Sequence, residues 1–123
     1  MPNLYRTSLS SGGSGGSIIE KGFLFGIGQK YNSDYSISSG VVTISLSGTF
    51  NGGYIFNCED YSALSIQTNN FLSGALAFFK NGEKVNVEAF SDITTRSFTL
   101  PQCDFCIFTG HMVSASSLKF TFS

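Results

Sequence analysis

Three cysteines carry the most reactive side chains of this chain, and two of them have the spacing of a metal or redox pair. Cys103 and Cys106 form a Cys-x-x-Cys pattern, and Cys58 is the third. The pair lies in the run CDFCIFT, which is typical of a strand, where residues three apart point to opposite faces. With no second such pair and a single histidine in the sequence, we expect no zinc site and no bond between Cys103 and Cys106. The three residues are interpreted as buried free thiols, made in a reducing cytoplasm.

A histidine and a few acidic residues are the remaining candidates for catalysis. His111 could act as a general base beside one of the many serines, but no nucleophile elbow or oxyanion loop can be read near it. Glu59 and Asp60 are adjacent and could ligate Ca²⁺, and Glu88 with Asp92 could form a glycosidase-type pair. A surface histidine and a turn acid are the more common roles. We therefore expect no enzymatic activity, no metal and no cofactor.

The composition excludes several classes of partner. At 123 residues the chain can form one domain with its own core. A net charge of −1 offers no basic stripe for nucleic acid. Apolar runs fall short of the roughly 18 residues that a membrane span requires, so we expect no membrane insertion. The start MPNLYRTSLS lacks the basic and apolar regions of a signal peptide, which predicts synthesis in the cytoplasm.

A hairpin from Gly74 to Phe90 is the element around which the chain is organised. Asn81-Gly82 is a strong signal for a type I′ turn, since both central residues need positive φ. Folding about this turn predicts three cross-strand pairs: Lys80 with Glu83, Phe78 with Val85, and Leu76 with Val87. We expect the four apolar residues of these pairs to be buried together, so that Phe78→Ala removes a large core side chain.

The other segments predict further short strands separated by turns. Tyr31 to Gly40 and Asn51-Gly52-Gly53 are rich in turn-forming residues, while the strand segments alternate apolar and polar residues. The predicted strands are 18–28, 41–47, 54–57, 61–68, 96–100, 103–109 and 118–122. Many short strands with Gly and Asn turns indicate an antiparallel β-sandwich, jelly-roll-like, over residues 18–123.

The first 17 residues predict an N-terminal arm rather than part of the sandwich. Residues 10–17, SSGGSGGS, form a flexible Gly/Ser-rich segment with no side chain to bury. An expression linker is the alternative origin of this segment. Leu4, Tyr5 and Leu9 are the sizeable apolar residues of the arm, and they precede the flexible run. We expect them to bind a neighbouring subunit at the end of a tether.

Four motifs together resemble a known family. They are YSALSI at 61–66, ALAFFKNG at 75–82, RSFTLP at 96–101 and CIF at 106–108. Their order is similar to that of small carbohydrate-binding-module-like jelly-roll sandwiches of bacteriophage tail, baseplate and head appendages and of bacterial surface proteins. The resemblance covers roughly residues 41–123. It implies a structural protein of the virion, such as a capsid decoration, head-appendage or tail subunit, made in the bacterial cytoplasm. Its expected partners are other virion proteins and further copies of itself.

The same resemblance leaves a second hypothesis open. A module of this fold could bind a host or surface polysaccharide through exposed aromatic side chains. The candidates, which would serve equally as interface residues, are Tyr31, Tyr35, Tyr54, Phe79 and Phe90.

Overall fold

The structure is a computed structural model that describes residues 18–24 and 34–123. Six strands account for nearly all of this part of the chain: β1 (Ile19–Leu24), β2 (Asp34–Ser38), β3 (Val41–Asn57), β4 (Ala63–Lys80), β5 (Glu83–Thr99) and β6 (Phe105–Phe122). Within these two ranges, no helix has the length and apolar character that crossing a membrane requires.

All strands belong to one antiparallel sheet. Its order is β1-β3-β6-β4-β5, and β2 pairs with the first part of β3. The central strand of the sheet is therefore β6, the last in sequence, which lies between β3 and β4. The predicted all-β, antiparallel, sandwich-like fold is confirmed.

The four long strands fold back on themselves, which turns a single sheet into two layers. Each has 17 or 18 residues, and an extended strand of that length would span roughly 58 Å. Yet the rings of Phe108 and Phe120, both on β6, lie 5.0 Å apart between centroids. Phe90 and Phe98 on β5 are similarly close, at 5.8 Å. We call the two layers half-sheet A (residues 34–45, 63–67, 95–99 and 117–122) and half-sheet B (19–24, 50–57, 72–93 and 105–112).

Register shifts in the middle of the strands produce this bend. They fall between Ser45 and Phe50 on β3 and between Gln67 and Leu72 on β4. Positive φ angles at Gly48, Asp92 and Ser114 lie in the same zone. Bulges of this kind increase the twist and bend a strand without ending it. The predicted turn at residues 51–53 is therefore wrong, since Gly52 and Gly53 lie within β3. The segment predicted as turn around Tyr35 contains a strand, β2.

The organising hairpin forms with the expected turn but with a different register. Asn81 and Gly82 have φ of 52° and 83°, and Lys80 pairs with Glu83. A bulge then inserts Val85, so that Phe78 faces Asn86 and not Val85. Leu76 likewise faces Glu88 in place of Val87.

The bulge changes which hairpin side chains reach the core. Phe78 and Leu76 are fully buried, as expected, but Val85 and Val87 are 49% and 46% exposed. The prediction that all four are buried together is wrong for the two valines. The core is instead one cluster in which the inward residues of both half-sheets meet.

Candidate functional site

The two half-sheets have outer faces of opposite character. Directly paired residues share one face of a sheet, so the registers define the rows on each surface. On half-sheet A the outer rows are mostly hydroxyl and amide side chains: Ser36, Ser38, Val41, Thr43, Ser65, Gln67, Thr95, Ser97, Lys119 and Thr121. An antiparallel sheet with one buried face normally shows this polar outer surface.

The outer face of half-sheet B is apolar. Its central row runs across four strands as Ile55, Ile107, Ala77 and Val87. The flanking rows contain Phe105 and Phe79 on one side and Thr109, Ala75 and Ala89 on the other. We call these five residues and the four of the central row the apolar face. Its aromatic row ends in polar side chains, Asn57 on β3 and the exposed Lys84 on β5.

Side chains on the apolar face are partly open to solvent. Val87 and Ala89 are exposed, while the other seven residues are half-buried by one another. Phe79 and Phe105 stack with ring centroids 5.0 Å apart and planes 5° apart. A contiguous exposed apolar surface on a soluble protein marks an interaction site more often than isolated apolar residues do.

A buried carboxylate fixes the aromatic end of this face. Asp104 is 3% exposed, and its backbone N–H donates to the carbonyl of Phe79 at 2.7 Å. Its Oδ2 accepts a hydrogen bond from the N–H of Asn81 at 2.8 Å, and its Oδ1 lies 3.7 Å from Lys80 Nζ. Through these bonds Asp104 links the hairpin turn to the start of β6 at Phe105.

The cysteines lie beside Asp104 and form a cluster. Cys58, Cys103 and Cys106 are buried free thiols, as expected. β6 begins at Phe105, so Cys103 lies in the preceding loop and not on the strand. Its Sγ is 3.1 Å from Cys58 Sγ, and the Cys106 thiol is near enough to influence the pKa of Cys58. Cys103 and Cys106 are not bonded to each other, but strand alternation does not determine where their sulfurs point, because Cys103 lies outside β6.

Hydrogen bonding and burial keep the thiols of Cys58 and Cys103 protonated. The bond to Cys58, followed by burial, raises the pKa of Cys103 well above its ordinary value. The hydrogen bond with Cys103 lowers the pKa of Cys58. The Cys106 thiol and burial have the opposite effect and outweigh it, so the pKa of Cys58 lies above its ordinary value. Protonated thiols are poor nucleophiles, so Cys58 and Cys103 should react slowly at neutral pH.

The five candidate aromatic residues do not form one exposed row. Tyr54 is fully buried with its ring beside those of Phe50 and Phe108, and Phe90 is 6% exposed. These two predictions of exposure are wrong, because both residues alternate onto the inner face of half-sheet B. Tyr35 is half exposed on β2, and Phe79 lies on the apolar face. Tyr31 falls outside the described residues, as do the arm residues Leu4, Tyr5 and Leu9.

The candidate catalytic residues lie apart. Glu59 and Asp60 are exposed in the turn after β3, and His111 is exposed on β6. Asp92 bonds with Ser73, its N–H donating to the hydroxyl at 3.0 Å. In the part of the chain that the structure describes, no three His, Cys, Asp or Glu side chains are grouped to hold a metal.

The sequence analysis did not predict the apolar face, although the residue pattern indicates it. In the runs ALAFF at 75–79 and CIF at 106–108, apolar residues occupy successive positions instead of alternate ones. Continuous apolar runs are typical of strands covered on both faces. The sequence interpretation placed one face of each run in the core and left the other unassigned.

Comparisons with known proteins give a fold resemblance and no family. No protein-family model and no curated protein matches the chain. Weak structural similarity is found to the accessory secretory proteins 1, 2 and 3 of Streptococcus pneumoniae. That match has a TM-score of 0.44 at 10% identity and covers 76% of this chain and 87% of the other.

Two further solved structures show weaker similarity. The Glycosylation Associate Protein (Gap123) complex from Streptococcus agalactiae matches with a TM-score of 0.38 and 12% identity, over 86% of this chain and 43% of that one. The enzymatically active domain of bacteriophage CBA120 tailspike protein 4 matches with 0.32 and 9%, over 66% of this chain and 14% of that one. Similarities at this level extend no further than a β-rich fold. None of them confirms the carbohydrate-binding-module-like jelly-roll family.

Proposed function

We propose that this chain is a non-enzymatic structural subunit of a bacteriophage virion that works through protein–protein contacts. The apolar face of half-sheet B is the observation that carries the proposal, and its first partner is a second copy of the chain. The virion assignment comes from the sequence motifs, which resemble the jelly-roll modules of phage tails, baseplates and head appendages.

The difference between the two outer faces supports an interface at half-sheet B. Both faces are formed largely by β3, β4, β5 and β6, and each half-sheet already buries its inner side in the common core. Half-sheet A has Ser97 and Thr95 on its outer surface of β5, whereas half-sheet B has Val87 and Ala89 there. Intrinsic strand preference does not require this difference. Burial against a partner explains it, because buried apolar area stabilises by roughly 25 cal/mol per Å².

Charge and shape favour a second copy as the partner. With a net charge of −1, two copies repel each other weakly. Two sheets that pack through apolar faces of this kind lie about 10 Å apart. At ordinary strand spacings the apolar face covers on the order of 350 Å². A stable interface needs about 800 Å² per partner, so further contact must come from elsewhere in the chain.

The apolar face predicts a charge substitution that blocks self-association. Val87→Lys places an ammonium group at the β5 end of the central row, where the proposed contact would desolvate it without a partner. We expect the dissociation constant of the oligomer to rise at least tenfold, measured by sedimentation velocity over a concentration series. Since Val87 is 46% exposed on an edge strand, the melting temperature should barely change.

The matched control is Ser97→Lys, which adds the same charge to an exposed position of the same strand on half-sheet A. This variant should associate as the unmodified chain does. Equal behaviour of the two variants, or a strictly monomeric starting protein at all concentrations, would rule out the apolar face as a self-contact.

The N-terminal arm predicts a second effect on assembly. A chain that begins at Ile18 keeps the residue whose carbonyl accepts the N–H of Asn57 at 2.7 Å, so it should fold with near-normal stability. The truncated chain should nonetheless fail to assemble. It lacks Leu4, Tyr5 and Leu9, and with them the tethered contact to a neighbouring subunit. Thermal melts and light scattering measure the two properties separately. An unfolded truncated chain would instead make the arm an integral strand.

Glycan binding remains the alternative hypothesis, and the same samples test it. Two of its five candidate aromatic residues, Tyr54 and Phe90, lie in the core. Tyr35, half exposed on β2, is the described residue that most favours it. A monomeric chain that is retained on a polysaccharide column, and released by Tyr35→Ala, would replace the structural proposal with this one.

A further inference from the structure

Cys58 and Cys103 come from two different loops at one end of the sandwich. Cys58 follows β3 directly, and Cys103 precedes β6. They are 45 positions apart in sequence, yet their Sγ atoms lie 3.1 Å apart. The N–H of Cys58 donates to the carbonyl of Asp104 at 3.1 Å, which holds the two loops together.

We propose that Cys58 and Cys103 are a specific oxidation site, which a small-molecule disulfide such as oxidised glutathione converts to an intramolecular disulfide. A disulfide requires the sulfurs to approach to about 2.05 Å. The remaining shift from the observed separation is about 1 Å, which loop backbone can absorb.

The reaction proceeds by two thiol–disulfide exchanges. Cys103, at 5% exposure the more accessible of the two, attacks the oxidant as its thiolate and releases one glutathione. Cys58 then attacks the Cys103 sulfur of the mixed disulfide and expels the second glutathione. Two protein S–H bonds are lost and one S–S bond forms. The oxidant's S–S bond is replaced by two S–H bonds, so electrons and protons balance.

Cys106 is the third thiol of the cluster, but its position does not favour pairing with either neighbour. It lies on β6, hydrogen-bonded in register between Phe56 on β3 and Phe78 on β4. A strand held on both sides cannot move its Cα to meet disulfide geometry without disturbing both ladders. Cys106 is therefore the matched control within the same cluster.

Peptide mapping of the native full-length chain tests the proposal without any substitution. Cleavage before aspartate places each cysteine on its own peptide: residues 34–59, 92–103 and 104–123. After incubation with oxidised glutathione and alkylation in denaturant, we expect peptide 34–59 linked to 92–103, and an alkylated 104–123. The intact mass should fall by two hydrogen atoms. The reaction should be slow at neutral pH and faster as pH rises, because the raised pKa of Cys103 keeps its thiolate scarce.

The melting temperature provides the second measurement. Oxidation should raise it by about 10 °C, since the bond closes a long loop of the unfolded chain. Cys106→Ala should keep both the linked peptides and the shift, whereas Cys58→Ala should lose both. Three alkylated peptides after oxidation, a link to 104–123, or a persistent glutathione adduct would each overturn the proposal.

Discussion

Phe78→Ala is expected to lower the free energy of unfolding by about 3–5 kcal/mol. Phe78 has no exposed surface, and its row places it beside Cys106 on β6 with Phe56 beyond. Strands on both sides hold this part of β4, so the neighbouring backbone cannot collapse into the space. A domain of this size is stable by roughly 5–15 kcal/mol, so the variant should lose a large share of its stability. Urea denaturation followed by fluorescence or circular dichroism measures the change.

Phe71→Ala is the matched control, because it makes the same truncation on the same strand. Phe71 is 63% exposed, and we expect a change within about 0.5 kcal/mol. A loss for Phe78→Ala no larger than that of the control would show that Phe78 does not fill the core.

Gly74→Ala is expected to destabilise the protein by about 3 kcal/mol or more, although it adds a single methyl group. A Cβ at Gly74 would overlap the backbone oxygen of Thr109 and lie 2.9 Å from Gly110 Cα. Both obstacles are backbone atoms of β6, so no side-chain rotation can relieve the contact. The β4–β6 ladder must open, and it is the central pairing of the sheet. Thermal and urea denaturation should both show the loss.

Gly48→Ala separates this steric effect from the general effect of replacing glycine in a strand. Gly48 has open space around its Cβ position but a φ of +82°. The cost there is backbone strain alone, about 1–2 kcal/mol. Gly74→Ala should therefore be the more destabilising of the two. The reverse order would mean that β4 and β6 are further apart at Gly74 than the structure places them.

The local sequence was sufficient for the strand content and for the organising hairpin turn. Alternating apolar residues such as Val42 and Ile44 predicted strands, because a period of two leaves little choice of conformation. Asn81-Gly82 predicted the turn, since these residues accept positive φ at little cost. Both depend on neighbours within a few residues, so no tertiary contact was needed to identify them.

Tertiary structure decided where strands bend and where they end. Asn51-Gly52-Gly53 has the composition of a turn, but these residues pair with β6 as part of one continuous strand. Glycine has the same intrinsic backbone preferences whether it lies in a strand or in a turn. The partner strand determines which applies, because its ladder of hydrogen bonds supplies the energy that keeps the chain extended.

The candidate sites depended on the same long-range information. The bulge at Val85 shifted the hairpin register and exposed the valines, because Phe78 was placed opposite Asn86 instead. Cys58 and Cys103 are brought together by loops that are distant in sequence. By itself the sequence determined that most segments would be strands with an apolar side, though not residues 34–38 and 51–53. Only the folded sheet decided which apolar side of a strand is buried and which faces outward, as Ala77 and Ile107 do. Burial of one side depends on the other half-sheet that packs against it.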